Sequence, residues 1–347
     1  MPLRNLFYLT AFVALVIWCM VNGRTVILPI VIAIMLSYVL VGATKAMRRW
    51  SLLKHCPFWL VYLLVVLIFG AALTMIGLIA VTNLRNIALS GVDYQGNILR
   101  LMASVGDALG LVDQPSWETM RMMVQDRLDL ATLSLNLFGT VVSAGGYIVL
   151  VGTYVVFMVA ERETLSNKID LVLVDGGERD TAREIFDQIN EQVVTYLFTK
   201  TLINAVLAVL SYGAMWLLGI ENAVFWAFLI GLFNYIPYVG SLMGVAVVVG
   251  YDMLLTGDWA EVISTLVLLT IAQVYVGNWL EPRVMSRSFN MSPVVVLCTL
   301  LIWTSIWGLI GAIIAVPMTA ILLIVLSAFD ATRPVAILAS RDGRLLD

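Results

Sequence analysis

Few residues in this sequence are equipped for polar chemistry, and those few stand in apolar surroundings. Lys200 and Asn204 lie four apart near the start of one apolar run, which puts them on one helical face. Asn234 precedes a break, Ile236-Pro237-Tyr238-Val239-Gly240, between two short apolar segments. Gln273, Gly277 and Glu281 recur at intervals of four and form a polar stripe, with Asn278 and Arg283 beside it. A carboxylate, the helix-breaking Pro282 and an arginine between strongly apolar segments are costly unless a structural or functional role retains them. The chemistry open to this set is recognition rather than bond breaking. Asn204, Asn234, Gln273 and Asn278 offer hydrogen bonds to a small polar solute. Glu281 and Arg283 are expected to act as a gate or coupling pair, while Lys200 either snorkels to water at the cytoplasmic boundary or points into a cavity to pair with a carboxylate, Glu281, or an anionic substrate. A carboxylate at membrane depth can also take up and release a proton, which makes Glu281 the candidate for proton coupling.

Composition sets the surroundings. Hydrophobic residues make up 61% of the 347-residue chain and charged residues 12%, about half the ~25% charge of a soluble domain. The sequence is therefore expected to be an all-α polytopic membrane protein. Its net charge of -3 is small and dispersed, which excludes a basic footprint for nucleic acid. No GxxxxGK(S/T) phosphate loop is present, so no ATPase of that type is built in. His55 is the only histidine and lies in a basic loop, which argues against zinc hydrolases and histidine-based triads. No enzyme activity, metal or cofactor is expected. Cys19, Cys56 and Cys298 are odd in number and lie far apart, in or beside apolar runs. They read as packing residues rather than as a disulfide or metal set.

The elements that must position the polar residues follow from hydropathy. Residues 1–83 hold three spans, Leu6–Val21, Val26–Ala43 and Phe58–Val81. The first lacks the small residues of a cleavage site at its end and is kept as a span. Lys45, Arg48, Arg49 and Lys54 form a loop that should face the cytoplasm. Residues 84–136 are expected to be extracytoplasmic amphipathic helices, one with Ile98, Leu101, Met102, Val105 and Leu109 on its apolar face, another with Trp117, Met120, Val124, Leu128 and Ala131. Residues 137–160 form a fourth span, in which Gly145 and Gly146 would allow close helix contact. Residues 161–199 are a charged cytoplasmic block ending in a helix with the stripe Ile185, Phe186, Ile189, Val193 and Leu197.

Residues 200–328 are the expected membrane transport core. Ala223–Tyr235 and Val239–Leu255 are short for spans that need about 20 residues, which suggests a re-entrant hairpin or broken helices. Broken backbone at membrane depth survives where it is buried in protein or lines a wet cavity, so Asn234, Pro237 and Gly240 are candidates for a pathway constriction, with a tight surface turn as the alternative. Gly240 and Gly244 also have the spacing of a close-packing pair. Another span covers Trp259–Leu280, and Ser292 with Pro293 reads as the capped start of the next helix. Val294–Ala328 is too long for one ordinary span, and backbone breaks are expected at Gly308, Gly311 and Pro317. Residues 329–347 form a cytoplasmic tail. About eight to ten membrane segments result, with both termini inside.

Several of these stretches resemble a known family. Tyr196–Asn204 with its Lys-Thr-Leu-Ile core, Asn234–Ser241, Val276–Arg287 and Gly308–Pro317 are similar to the autoinducer-2 exporter family of bacterial permeases. The likeness extends over the whole chain in segment order, with the specific motifs between Tyr196 and Pro317. It implies a secondary transporter of the bacterial inner membrane that exports a small polar metabolite, the quorum-sensing signal autoinducer-2 being the type cargo. Other members look like cation/proton antiporters or exporters of small organic anions. The resemblance also implies a homo-oligomer in the lipid membrane, a pentamer. Where relatives carry a glycine and a Gly-Leu pair, this chain has Ser286 and Phe289-Asn290, which bears on the loop geometry and the cargo. A sodium/proton antiporter and a non-transporting scaffold are the two rival expectations.

Overall fold

Apolar length decides most of the architecture. A chain in lipid must satisfy its backbone hydrogen bonds within each segment, and this favours helices of about 20 residues across a hydrocarbon core of ~30 Å. The computed structural model describes residues 3–50, 53–89, 146–161, 176–285 and 290–343, together with Asn97, Arg100, Leu101 and Ser104. Among the described residues the regular elements are helices, and an isolated antiparallel bridge joins Met291 to Ser340. Six helices among the described residues are long and apolar enough to cross a membrane and three shorter apolar helices accompany them, in line with the expected all-α polytopic fold.

In chain order the helices are α1 (Leu3–Asn22), α2 (Arg24–Met47), α3 (Phe58–Leu89), α4 (Gly146–Ala160), α5 (Gly176–Leu217), α6 (Ala223–Phe233), α7 (Val239–Thr256), α8 (Trp259–Val274), α9 (Pro293–Ser327) and α10 (Arg333–Ala339). A π-helical turn, Tyr275–Leu280, continues α8 into one α turn, Glu281–Val284. Most of the expected amphipathic region 84–136 lies outside the described residues, as do Gly145, residues 162–175, Ser286, Arg287 and Phe289. Gly146 is described, and a Cβ there would meet nothing within 4 Å among the described residues.

One unit of the chain comprises Met1–Leu67, Tyr147–Thr201 and Val284–Asp347. Its core gathers Leu28 and Met35 of α2, Val193, Tyr196 and Leu197 of α5, and Trp307, Ile314 and Val316 of α9. The expected apolar stripe of α5 thus turns inward as it advances, half-buried at Ile185 and Ile189 and buried at Val193 and Leu197. In α9 the helical dihedrals fail at Gly308 (φ 64°, ψ -144°), a conformation open to glycine. Beside this break the Trp307 indole donates to the Met20 carbonyl of α1 at 3.1 Å. Gly311 leaves no room for a side chain, since a Cβ would lie 2.0 Å from the Trp303 carbonyl oxygen. Gly311 keeps helical dihedrals and is no break, contrary to expectation, and neither is Pro317. Its backbone stays helical, because the break is already made at Gly308 and a single lost N–H is tolerated where neighbours pack around it. Ser292 does occupy the N-cap of α9 with Pro293 in the first turn, but its side chain makes no capping bond.

The other unit comprises Ile68–Gly146 and Leu202–Arg283. Here α6 has 11 residues, a rise of about 16 Å, roughly half of a bilayer core. It cannot cross, whereas α7 with 18 residues rises about 27 Å. The two form a hairpin in which glycines replace side chains at the contacts. A Cβ on Gly231 would lie 3.0 Å from the Asn204 carbonyl oxygen of α5, and one on Gly244 would lie 3.3 Å from the Ile230 Cα. At Gly240 it would fall 1.7 Å from the Phe233 carbonyl oxygen. Beyond α7 the sequence Thr256-Gly257-Asp258 turns the chain as its residue types dictate. Gly257 takes the left-handed conformation (φ 62°), and Asp258 caps α8 by accepting from the Ala260 N–H at 2.8 Å. The Asn97 carboxamide donates to the Leu254 and Leu255 carbonyls at 2.9 and 2.7 Å, covering carbonyls that a helix end leaves open.

Gly240→Ala should cost about 3 kcal/mol or more, because the new Cβ meets backbone rather than a movable side chain. Gel filtration and thermal unfolding in detergent should show loss of monodisperse protein for this variant. Gly250→Ala, where a Cβ meets nothing within 4 Å, should behave as the parent chain does.

Candidate functional site

Between α6 and α7 the backbone is irregular and held by local bonds. Ile236 N–H donates to the Phe233 carbonyl at 2.8 Å, Gly240 N–H to the Ile236 carbonyl at 3.0 Å, and Val239 N–H to the Pro237 carbonyl at 2.6 Å. The last bond closes a three-residue turn with Tyr238 at φ 62°, ψ -50°. This γ-turn of positive φ is rare and strained for a residue with a side chain. Pro237 fixes the dihedral before it and Gly240 lets the chain pass close behind Phe233. The expected break at Pro237 and Gly240 is therefore a tight, strained turn at the tip of a hairpin whose first arm is half a span long.

The same turn carries the first link of a buried polar chain. Asn234, the C-cap of α6, donates through Nδ2 to Asn204 Oδ1 of α5 at 2.8 Å. Gln273 of α8 donates through Nε2 to Asn234 Oδ1, also at 2.8 Å. Three of the four carboxamides picked out by their apolar setting thus meet head to tail, with Asn204 4% and Asn234 6% exposed. At the two ends of this chain, Asn204 Nδ2 and Gln273 Oε1 are buried without a hydrogen-bond partner among the described residues. A buried donor or acceptor left so costs about 1–3 kcal/mol. The chain therefore ends in an amide NH2 at Asn204 and an amide carbonyl oxygen at Gln273, both uncharged and without a partner among the described residues.

The polar stripe of α8 has a different construction from the one its spacing predicts. Pro282 cannot donate to the Asn278 carbonyl four residues back, and the turn before it widens to a π-helix over Tyr275–Leu280. Such a turn takes up one residue more than α geometry allows. Glu281 consequently stands about seven α-helical steps, or two turns, from Gln273, which aligns the two more closely than the sequence interval of eight would. Glu281 is half-buried, while Asn278 and Arg283 are exposed on the far side. Tyr275 and Trp279 stack at 5.1 Å between ring centroids, and the Arg283 guanidinium lies over the Trp279 ring at 3.7 Å. Arg283 is thus placed on an aromatic ladder and Asn278 apart from the carboxamide chain. Lys200 is 5% exposed and lies one turn before Asn204 on α5. It is buried rather than reaching for water, and it belongs to the unit that contains Met1, whereas Glu281 belongs to the other.

Two features were not singled out from sequence. The positive φ of Tyr238 has no residue signature, because Pro237 and Gly240 explain the turn without it. Asp252 is buried in α7 with Thr265 of α8 as partner. Its signal was available, a lone carboxylate within an apolar segment.

A profile of the AI-2E transporter family matches residues 6–331. The chain belongs to the AI-2E transporter family. Among its relatives, a candidate transport protein of Haemophilus influenzae is 28% identical over 90% of this chain and 89% of its own length. The AI-2 transport protein TqsA of Escherichia coli is 24% identical over 91% of this chain and 89% of its own. The candidate transport protein YhhT of Escherichia coli is 35% identical, over 36% of each chain. In this AI-2E permease the carboxamide chain and the strained turn lie within the matched region.

Replacing Asn234 alone by leucine strands Gln273 Nε2 and Asn204 Oδ1 and should cost about 2–4 kcal/mol. Replacing Asn204, Asn234 and Gln273 together should cost less, because no polar partner is left unanswered; thermal unfolding in detergent compares the two. Tyr238→Gly should relieve the left-handed strain and stabilise the fold by about 1 kcal/mol in the same assay.

Proposed function

We propose that this permease is a secondary transporter that exports a small polar metabolite, autoinducer-2 or a compound of its kind, across the bacterial inner membrane. The observation that carries the reading is the open pair at the ends of the carboxamide chain, Asn204 Nδ2 and Gln273 Oε1. A hydroxyl group both accepts and donates, so a hydroxylated solute answers both ends without bringing charge into the site. A bare cation is served less well. Among the three carboxamide oxygens, two already accept hydrogen bonds within the chain, and hard cations want six or so oxygens around them. Broken helices near the membrane midplane are where secondary transporters hold their cargo. The half-span hairpin with its strained tip is a segment of that kind, and alternating access is proposed to work about it.

Further parts of the proposal concern the charged residues and the assembly. Glu281, two turns along the polar stripe from Gln273, is proposed as a coupling residue, and the buried Lys200 as a pathway residue of its own unit. Arg283 and the aromatic ladder would anchor that end of the stripe at the lipid headgroups, where such side chains concentrate. Cytoplasmic termini and a homo-oligomer, a pentamer, belong to the same reading.

Vesicles reconstituted with the purified protein and challenged with autoinducer-2, small organic anions, sodium and potassium under imposed proton and sodium gradients provide the test. Autoinducer-2 should accumulate on the far side, and Asn204→Leu should slow this by roughly tenfold or more while the protein still inserts normally. Sodium-driven proton movement without organic cargo would replace the export reading by an antiporter. Unaltered gradient dependence in Glu281→Gln would remove Glu281 from coupling.

A further inference from the structure

The carboxamide chain makes no use of the buried carboxylate in the same unit. Asp252 lies one turn before the end of α7 and is 2% exposed. Its Oδ2 accepts a hydrogen bond from Thr265 Oγ1 of α8 at 2.8 Å, and Thr265 is itself 1% exposed. Among the described residues the helices packed most extensively against α7 are α6 and α8. None of these three helices, nor the π turn after α8, carries a lysine or arginine. The other titratable groups they bring are Tyr251, whose ring packs on Trp226 of α6 at 4.5 Å between centroids, the exposed Glu261 near the start of α8, and Tyr275 in the π turn. Tyr238 stands just before α7, Asp258 caps α8, and the exposed Arg100 lies one helical turn beyond Asn97, which closes the end of α7. Among the described residues no cation therefore pairs with Asp252.

A carboxylate at membrane depth with one hydroxyl donor and no cation is strongly disfavoured when ionised, and the smallest change that relieves it is a proton. We propose that Asp252 and Thr265 form a proton-binding site of this protein. Oδ1 of Asp252 takes a proton from water, forming an O–H bond, and later returns it to water, while Thr265 keeps donating to Oδ2. Thr265 is the positioning residue of the pair, since it holds the carboxyl in one orientation through both states. The use of this site in a transport cycle rests on the function proposed above, but the binding of the proton does not. It is also separate from the role given to Glu281, which lies beyond the other end of α8.

Acid-minus-alkaline difference infrared spectroscopy on the full-length protein in liposomes reads the proton directly. A high-frequency carboxyl band, set apart from those of exposed carboxyls by its dry surroundings, should appear in the parent protein. Asp252→Asn keeps the volume and an acceptor for Thr265, so it should fold and should lose that band. Thr265→Val removes the hydrogen bond to Oδ2 and should shift the band without abolishing it. Absence of the band from the parent, its persistence in folded Asp252→Asn, or its disappearance on adding sodium chloride at constant pH would each overturn the proposal, the last in favour of a sodium site. Failure of autoinducer-2 export in vesicles with the band still present would sink the export reading alone.

Discussion

A carboxamide buried among apolar helices must be answered by another hydrogen-bonding group, and the unit that contains Gln273 is arranged around that requirement. Asn204, Asn234 and Gln273 come from three separate helices and fix them at one level through two bonds. The approach is close enough only because small residues stand at the contacts. Gly231 sets α6 against the Asn204 carbonyl, and Gly244 sets α7 against Ile230. In a membrane, where apolar helices gain little from each other by excluding water, such polar contacts and close backbones supply much of the specificity of packing. Removing the chain would leave helices of the right length with no reason to stop at this register.

Two departures from α geometry flank this chain, and a proline stands at each. Pro237 precedes the left-handed Tyr238, and Pro282 follows the π turn that realigns Glu281 with Gln273. Pro237 lies between helices, and Pro282 stands in the first turn after the π segment, whose wider winding accommodates the missing N–H. Pro317 shows the contrast. It lies within a helical stretch of α9 whose irregularity has been taken up by Gly308. Proline identity alone therefore does not mark a break. What matters is whether the chain must also change direction or phase there.

Much of the fold was legible because apolar length is a coarse and robust signal. The positions of the six long apolar helices, the short α6, the glycines at 240 and 308, and the inward stripe of α5 follow from hydropathy and residue size, whereas the expected first and fourth spans appear among the described residues as shorter apolar helices. The site was legible as a list of residues but not as a geometry. Asn204, Asn234 and Gln273 could be singled out as amides in apolar runs, yet their joining depends on where α6 stops, which is a tertiary fact. Asn278 and Arg283 shared the same sequence neighbourhood and fell on the exposed side, because the π turn changes the phase of that stretch. Asp252 carried a clear residue signal but no motif around it, and its partner Thr265 is one of many threonines in apolar helices. Burial was needed to separate the two from their surroundings.

Three carboxamides joined head to tail form a line with a direction. Each amide has nearly the same outline when its oxygen and nitrogen are exchanged, so turning over all three preserves both internal hydrogen bonds. The line then reads the other way, with an oxygen open at Asn204 and a nitrogen open at Gln273. A single reversed amide, by contrast, would set oxygen against oxygen or nitrogen against nitrogen. The line is therefore a two-way indicator whose three members must turn together, and a solute that met it as an acceptor from one side could leave it as a donor on the other.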